Sequence, residues 1–441
     1  MRICVKSYGC STNLADGEVL AGCLAAAGYN VVNSIAEAGL VVFNTCAVKG
    51  QTENRMISAL RQVPVSKKVI VAGCLPMINL ERLNRETHFD GVVGPAAGDR
   101  IVEVVKRVLA GEKVVILEDS SRAKPSLSLP RLPLNSVVSI IPVSYGCLGS
   151  CAYCCVVFAR GHLRSCSVDE VVERVKKDLT LGAREFWITS QDTASYGKDR
   201  GTNLAELLDA ICAVEGDFKV RVGMMTPNII SCFLEELIQS YQNEKIFKFV
   251  HLPVQSGDDL VLQSMRRFYT ITEFKAVVAT FRASFPEITL STDVICGFPG
   301  ENEKAFNATM KLIAEVKPDI VNLSKFFPRP RTSAAKMTSV FVPASEIKRR
   351  SCVVAELVKK VTFERNQHWV GWKGKVLVDE IGKVRGSWVG RNFAYKPIVL
   401  KSHGSLLGRT LQVELVKAHS TYLEGKVIEQ IIYADTPLMC C

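Results

Sequence analysis

The sequence predicts an α/β protein built from an amino-terminal parallel α/β domain, a central βα barrel of the TIM type (partial or full) and a small carboxyl-terminal all-β barrel. Three observations predict it. Across residues 1 to about 115, short apolar runs alternate with helix-like stretches. From 136 to about 340 a strand-then-helix pattern repeats six times. From about 371 to 434 the period shortens to alternating segments separated by glycine. A chain of 441 residues fits two or three domains, and 48% hydrophobic residues supply sizeable cores.

In chain order, Ile3–Val5, Leu40–Phe43 and Val69–Ala72 read as buried strands, with helical stretches such as Asp16–Ala27 between them. The first domain is expected over residues 1–118. Residues 119–135 are rich in Ser and Pro and lack periodicity, which marks a linker. A second domain is expected over 136–368. Its candidate strands are Val137–Val143, Glu185–Thr189, Lys219–Gly223, Phe247–Leu252, Thr289–Val294 and Ile320–Phe326, with function at their carboxyl ends. Residues 345–368 read as a long helix carrying Lys348, Arg349, Arg350, Lys359, Lys360 and Arg365. The segments KVLVDEI, KPIVLK, LQVELVKAH and EGKVIEQII make the last barrel, at 371–434.

The net charge of +11 fits a polyanionic partner such as RNA, and equally a basic enzyme with no such partner. Sixteen cysteines are many for this length. No leader-like segment precedes the first strand, so a reducing, cytoplasmic location is expected, where clustered cysteines serve metals or catalysis. No apolar run is long enough to span a bilayer, so no membrane partner is expected. Cys23, Cys212, Cys232 and Cys352 sit in apolar helical patterns and read as core residues, and Cys440 and Cys441 as a frayed tail.

Chemistry concentrates first at Cys147-x3-Cys151-x2-Cys154, directly after the strand Val137–Val143. Three close thiolates can wrap one face of an iron–sulfur cubane and leave its fourth iron open. Gly146 and Gly149 let the loop turn tightly. The same thiols would also suit a structural zinc loop, with Cys155 or His162 as a fourth ligand. This motif after the first barrel strand resembles the radical S-adenosylmethionine superfamily. In that family the open iron binds the amino and carboxylate groups of the cofactor, and the cofactor carries the radical chemistry.

Cys10, Cys46 and Cys74 are far apart in sequence, yet each follows a strand-like run: RICVKSYGC, LVVFNTC and KVIVAGC. In a parallel sheet their carboxyl ends converge on the edge where ligands bind. Scattered buried cysteines are the alternative. Their local sequences, Tyr8-Gly9-Cys10-Ser11-Thr12-Asn13, Asn44-Thr45-Cys46-Ala47-Val48 and Ala72-Gly73-Cys74-Leu75-Pro76, resemble the amino-terminal domain of the methylthiotransferases. The resemblance implies a second 4Fe–4S cluster held by Cys10, Cys46 and Cys74. It continues through Phe158-Ala159-Arg160-Gly161, His251-Leu252-Pro253-Val254-Gln255-Ser256-Gly257 and Met265-Arg266-Arg267-Phe268-Tyr269-Thr270. The terminal β segment resembles the TRAM RNA-binding module, at Gly390-Arg391-Asn392 and Tyr395-Lys396-Pro397.

Gly146-Cys147-Leu148-Gly149, Thr189-Ser190-Gln191-Asp192-Thr193 and Ser324-Lys325-Phe326-Phe327-Pro328-Arg329-Pro330 resemble the archaeal and eukaryotic branch acting on N6-threonylcarbamoyladenosine of tRNA. Other branches act on N6-isopentenyladenosine or on an aspartate of a ribosomal protein. The implied reaction puts a methylthio group on adenosine C2 beside the anticodon, with the second cluster carrying or donating sulfur and a second S-adenosylmethionine giving the methyl group. Cys147, Cys151 and Cys154 would then hold the radical cluster. Tyr153, Gln191, Asp192 and Asp293 would contact S-adenosylmethionine, although Gln191, Asp192 and Asp293 also fit ordinary strand-end roles. His251 reads as structural. Tyr395, Phe393 or Trp388 would stack on RNA or fill barrel core. Partners implied are the tRNA anticodon stem-loop and an electron donor such as a ferredoxin or flavodoxin. A two-cluster electron-transfer protein and an RNA-binding protein with structural zinc are the readings of other classes. Two departures from the family pattern stand out: Ala194 and Ser195 replace Gly-Ala before Tyr196, and Arg331 stands where the family has the glycine of Pro-Arg-Pro-Gly-Thr. If that glycine has a positive φ, arginine there is strained.

Overall fold

The computed structural model describes residues 1–47, 50–117 and 124–430. The predicted tail cysteines Cys440 and Cys441, and part of the predicted linker, lie outside the described residues. The amino-terminal region is a six-stranded, all-parallel sheet of β1 (Arg2–Ser7), β2 (Asn30–Val32), β3 (Leu40–Thr45), β4 (Lys68–Gly73), β5 (Gly91–Val93) and β6 (Val114–Ile116), in the order β2-β1-β3-β4-β5-β6. Helices α1 (Ser11–Ala26), α2 (Gly50–Arg61), α3 (Cys74–Glu86) and α4 (Ile101–Leu109) cover it. Strand residues alternate between two cores. Ile3, Leu40, Val42 and Ile70 face one side, while Cys4, Val41, Phe43 and Val71 face the other. Cover on both faces explains why the central strands read as unbroken apolar runs.

Helix α1 begins at Ser11, ahead of the predicted Asp16, with Cys10 in extended conformation at its cap. Its buried residues include the polar Thr12, Asn13, Asp16 and Glu18, because it packs against more than its own sheet. Leu14 and Ala15 meet Val138, Ile140 and Trp187 of the central region. The irregular strap after residue 124 is tied to α1, with Arg131 paired to Glu18 at 2.6 Å.

The central region holds β7 (Val138–Pro142), a two-residue ladder β8 (Ser144–Tyr145) with β9 (Arg164–Ser165), then β10 (Glu185–Thr189), β11 (Lys219–Val222), β12 (Phe249–His251), β13 (Thr289–Cys296) and β14 (Ile320–Lys325). Its helices are α5 (Val156–Arg160), α6 (Val168–Thr180), α7 (Leu204–Cys212), α8 (Pro227–Ile230), α9 (Leu234–Tyr241), α10 (Asp259–Ser264), α11 (Ile271–Ser284), α12 (Glu303–Val316) and α13 (Ala344–Gln367). Two parallel sheets, β11-β10-β7 and β12-β13-β14, are linked by single parallel bridges at Val220–Ile246 and Met224–His251. Six βα strands therefore curve into a partial barrel, and among the described residues β7 and β14 do not pair.

A closed barrel of β15 (Lys373–Ile381), β16 (Ser387–Arg391), β17 (Pro397–Lys401), β18 (Thr410–Ala418) and β19 (Leu423–Gln430) completes the chain, in the order β15-β16-β17-β19-β18. It sits at the amino ends of the central strands. Tyr395 packs on Phe247 and Phe249 at the start of β12, with ring centroids 4.8 and 5.1 Å away. Lys396 Nζ reaches Asp319, just before β14, at 2.7 Å, and Arg365 Nε reaches the same carboxylate at 3.0 Å. Two expectations are corrected here. Tyr395 is buried in this interface and is closed to RNA stacking, and Cys232 and Cys352 are exposed because their turns present them outward.

The Asp319 contact generates a prediction. Burial pushes its carboxyl up, but the Lys396 ammonium and the Arg365 guanidinium outweigh burial and hold it below the usual aspartate range. A depressed carboxyl stabilises the fold above the ordinary aspartate range and loses that contribution as pH falls through the depressed value. Asp319→Ala should cost about 3–5 kcal/mol at neutral pH by stranding Lys396. The deficit should shrink in acid, as read by urea unfolding across pH.

Candidate active site between two cysteine triads

The loop carrying Cys147, Cys151 and Cys154 leaves β8 at the carboxyl end of the partial barrel and enters α5. Gly146 has φ +78°, and a Cβ there would lie 2.0 Å from the His162 carbonyl. The loop is thereby folded flat against residues 161–162, with Cys147 N donating to Gly161 O at 3.2 Å. The Gly149 N–H donates to Cys147 Sγ at 3.2 Å, and a Cβ on Gly149 would sit 3.3 and 3.7 Å from the sulfurs of Cys147 and Cys151. Only a residue without a side chain leaves that space beside the two thiols. Arg267 Nη1 donates to Cys151 Sγ at 3.4 Å. Burial, with the charge of Asp192, pushes the Cys147 thiol up to about 11, and burial pushes the Cys154 thiol up as well. Such thiols stay protonated at neutral pH unless a bound cation draws the proton off. The donors are sulfurs alone, the set that iron–sulfur clusters take, so the loop fits a cluster.

Cys10, Cys46 and Cys74 lie just beyond β1, β3 and β4, three neighbours in the sheet. Asn13 and Asn44 interlock them. Asn13 Nδ2 donates to Asn44 Oδ1 at 2.8 Å and to Thr45 O at 3.2 Å, and Asn44 Nδ2 returns a bond to Asn13 O at 2.6 Å. Gly73 has φ +95°, and a Cβ there would strike Thr45 O at 2.4 Å. That close approach starts α3 at Cys74, beside the strand end that carries Cys46. Burial pushes the Cys74 thiol up to about 12; Arg160 opposes this, while Cys46 and Cys10 add to it. Cys74 is therefore near enough to Cys10 and Cys46 to feel their charge.

The two triads share one junction. Arg160, at the end of α5, donates to Asp16 of α1 at 2.5 Å, and both side chains are almost fully buried. Tyr145 OH donates to the other Asp16 oxygen at 2.7 Å. Cys155 Sγ donates to Ala47 O at 3.4 Å, and Cys74, Ile78, Ala47, Cys155 and Ala159 form one small core. A second buried link joins Glu53 of α2 to Arg329 and, at 2.7 Å, to Arg82.

Among the expected cofactor residues, Gln191 Oε1 is buried with no hydrogen-bond partner among the described residues, as is Ser190 Oγ. Asp192 is engaged in bracing its loop, accepting from Thr226 N at 3.0 Å and Ser195 Oγ at 3.1 Å, and its charge reaches Cys147. Tyr153 is half-buried, edge-on against Phe298 at 6.4 Å. Asp293 accepts from Asn322 Nδ2 at 2.8 Å and pairs with His251 Nε2 at 3.0 Å, so His251 has a structural partner. Sequence reasoning missed the roles of Asp16, Tyr145, Arg160, Glu53, Arg267 and Arg329. Their partners lie up to 276 positions away in the chain, and no local spacing signals them. Among the described residues, no three His, Cys, Asp or Glu side chains close on a single-ion site. A four-iron cluster is wider than one ion.

Residues 141–313 match the Radical SAM superfamily, and residues 2–94 match a family described as uncharacterized protein family UPF0004. The chain is thus a radical S-adenosylmethionine protein, a class that carries a 4Fe–4S cluster and S-adenosylmethionine. Over 97% of its length it is 43% identical to the whole of a probable threonylcarbamoyladenosine tRNA methylthiotransferase of Pyrococcus abyssi. It is 35% identical to the human threonylcarbamoyladenosine tRNA methylthiotransferase, covering 97% of this chain and 74% of that one. The chain belongs to the threonylcarbamoyladenosine tRNA methylthiotransferase family. Among solved structures, the radical methyltransferase TsrM of Kitasatospora setae aligns with TM-score 0.53 at 16% identity, over 73% of this chain and 72% of that one. The cobalamin-dependent radical enzyme OxsB aligns at 0.52 and 11% identity, over 79% of this chain and 56% of that one. These two likenesses show the fold alone.

The junction gives a prediction. Arg160→Met leaves the buried Asp16 carboxylate with Tyr145 but no guanidinium, and should cost about 3–5 kcal/mol. Adding Asp16→Leu should recover part of that loss, so unfolding midpoints of the two single variants and the double will be strongly non-additive. Additive losses would contradict a coupled pair.

Proposed function

We propose that this chain converts N6-threonylcarbamoyladenosine beside the tRNA anticodon to its 2-methylthio derivative. The observation that carries the reading is the packing of α3, which begins at Cys74, on α5, which begins two residues after Cys154. The names of its relatives support the substrate. Cys147, Cys151 and Cys154 would hold the radical cluster. When bound there with S-adenosylmethionine, it supplies the one-electron chemistry that an unactivated aromatic C–H bond requires. Cys10, Cys46 and Cys74 would hold a second 4Fe–4S cluster, which would supply the inserted sulfur. The division of labour follows domains at 1–118, 136–368 and 371–434, joined by 119–135.

The chain's own residues bind, orient and exclude water. Arg267 offsets charge on the Cys151 sulfur. The side-chain oxygens of Gln191 and Ser190, without partners among the described residues, would accept from the ammonium or ribose of the cofactor. Asp192 holds the strand-end loop in position, and the Asp293 carboxylate, oriented by His251 and Asn322, offers a further acceptor. Tyr153, edge-on to Phe298, would wall the adenine side. For RNA, Arg349, Arg350 and Arg365 of α13 are engaged in pairs with carboxylates, whereas Lys348, Lys359 and Lys360 project into solvent. Lys359 and Lys360 line a groove of about 510 Å³ with Phe363, His419 and Tyr422, suited to a phosphate backbone and a stacked base. A ferredoxin or flavodoxin would deliver electrons, in the cytoplasm.

Two measurements test this. Mass spectrometry of tRNA nucleosides from cells lacking the gene should show the 2-methylthio nucleoside lost and its threonylcarbamoyl precursor accumulated; an unchanged nucleoside would refute the substrate. In anaerobic assays, a Cys10→Ala, Cys46→Ala, Cys74→Ala variant should still cleave S-adenosylmethionine to 5′-deoxyadenosine but transfer no methylthio group. The corresponding variant at Cys147, Cys151 and Cys154 should do neither. Absence of cofactor cleavage in the wild type would favour an electron-transfer protein instead.

A further inference from the structure

Arg331 occupies the glycine position of the family's Pro-Arg-Pro-Gly-Thr stretch, and its φ is +69°. Thr332 N donates to Arg329 O at 3.2 Å, closing a turn with Pro330 second and Arg331 third. The third position of a turn with positive φ there is glycine's place, and a long side chain is disfavoured. The turn does not relax away from that strain because it is pinned on both sides. Arg329 is buried and paired with Glu53 of the amino-terminal region. Thr332 Oγ1 donates back to Arg329 O at 2.8 Å, and Ala334 N donates at 2.8 Å to the carbonyl of Ala152, between the ligand-bearing Cys151 and Cys154.

The strain sets the direction of one side chain. The Arg331 guanidinium lies over the ring of Phe158, 4.6 Å from its centroid. Phe158 in turn packs on the small core that holds Cys74 and Cys155, between the two triads. Arg160, Arg267 and Arg329, the other guanidiniums of this junction, are buried and bonded within the protein. Arg331 is exposed, and among the described residues no carboxylate pairs with it. A guanidinium resting over a ring still has N–H groups to donate, and its planar fork matches a carboxylate. Strain retained at a site's rim points from geometry to use.

We propose that Arg331 is a specificity-determining residue that receives the carboxylate of the substrate's threonylcarbamoyl group; this rests on the substrate reading given above. On adenine, the N6 substituent and C2 flank the same ring edge, either side of N1. A base presented with C2 toward the triads therefore brings its N6 carboxylate to the rim of the same opening. The phosphates lie beyond the sugar, and a phosphate contact would not read the base.

The test is binding of two synthetic anticodon stem-loops, alike except for threonylcarbamoyladenosine or plain adenosine, to the full-length, cluster-reconstituted protein. Wild type should prefer the modified RNA. Arg331→Gly suits the positive φ and should leave the thermal midpoint unchanged or raised. It should weaken binding of the modified RNA about tenfold while sparing the plain one. Arg331→Lys should fall between them. In turnover, Arg331→Gly should raise KM with kcat little changed. Equal weakening of both RNAs, with a shallower salt dependence, would assign Arg331 to a phosphate and overturn the proposal, as would a preference unchanged in Arg331→Gly. Wild type binding both RNAs alike would instead overturn the substrate reading itself.

Discussion

Asp16 and Arg160 meet out of water, on helices from two different regions of the chain, and the geometry of the whole site follows from that pair. Either charge alone would be costly to bury, so each fixes the other. Asp16 stands on the helix that begins beside Cys10. Arg160 ends the helix that begins just after Cys154. Tyr145, just ahead of the thiol loop, completes the bond set on Asp16. One buried carboxylate thereby ties the approach to one triad to both flanks of the other. Glu53, held by Arg82 and Arg329, repeats the device between α2, α3 and the stretch after β14.

The opposite end of the central strands is organised by the same physics with a different result. The small barrel is seated there by Lys396 on Asp319 and by aromatic contacts around Tyr395. Arg391 and Lys396, basic residues of the RNA-module signature, are turned inward to carboxylates. Lys359 and Lys360, with no carboxylate pairing to them among the described residues, stay exposed at the groove between α13 and the β18–β19 turn.

Much of this was legible in the chain. The apolar runs gave β1, β3 and β4 because sheets covered on both faces leave unbroken hydrophobic strands. The short strands β2, β5 and β6 escaped notice because three residues carry no period. Cys147, Cys151 and Cys154 announce themselves by spacing, and Cys10, Cys46 and Cys74 by following strands. What local patterns cannot carry is pairing at a distance. Arg160 was visible as part of a motif, but its partner Asp16 was not. Tyr395 looked available for stacking, yet tertiary packing buries it. Arg331 was visible only as a departure from a pattern, and the structure supplies its positive φ and its place over Phe158.

The central claim is that two thiol triads, from separate regions, hold two clusters at one opening. It is tested most directly by quantifying iron and labile sulfide, with electron paramagnetic resonance, on anaerobically reconstituted protein. The account predicts two four-iron clusters per wild-type chain and one remaining when either triad is replaced by alanine. Added S-adenosylmethionine should perturb only the signal that depends on Cys147, Cys151 and Cys154. Full iron content after loss of Cys10, Cys46 and Cys74, or a cofactor-induced change in the signal those three carry, would contradict it.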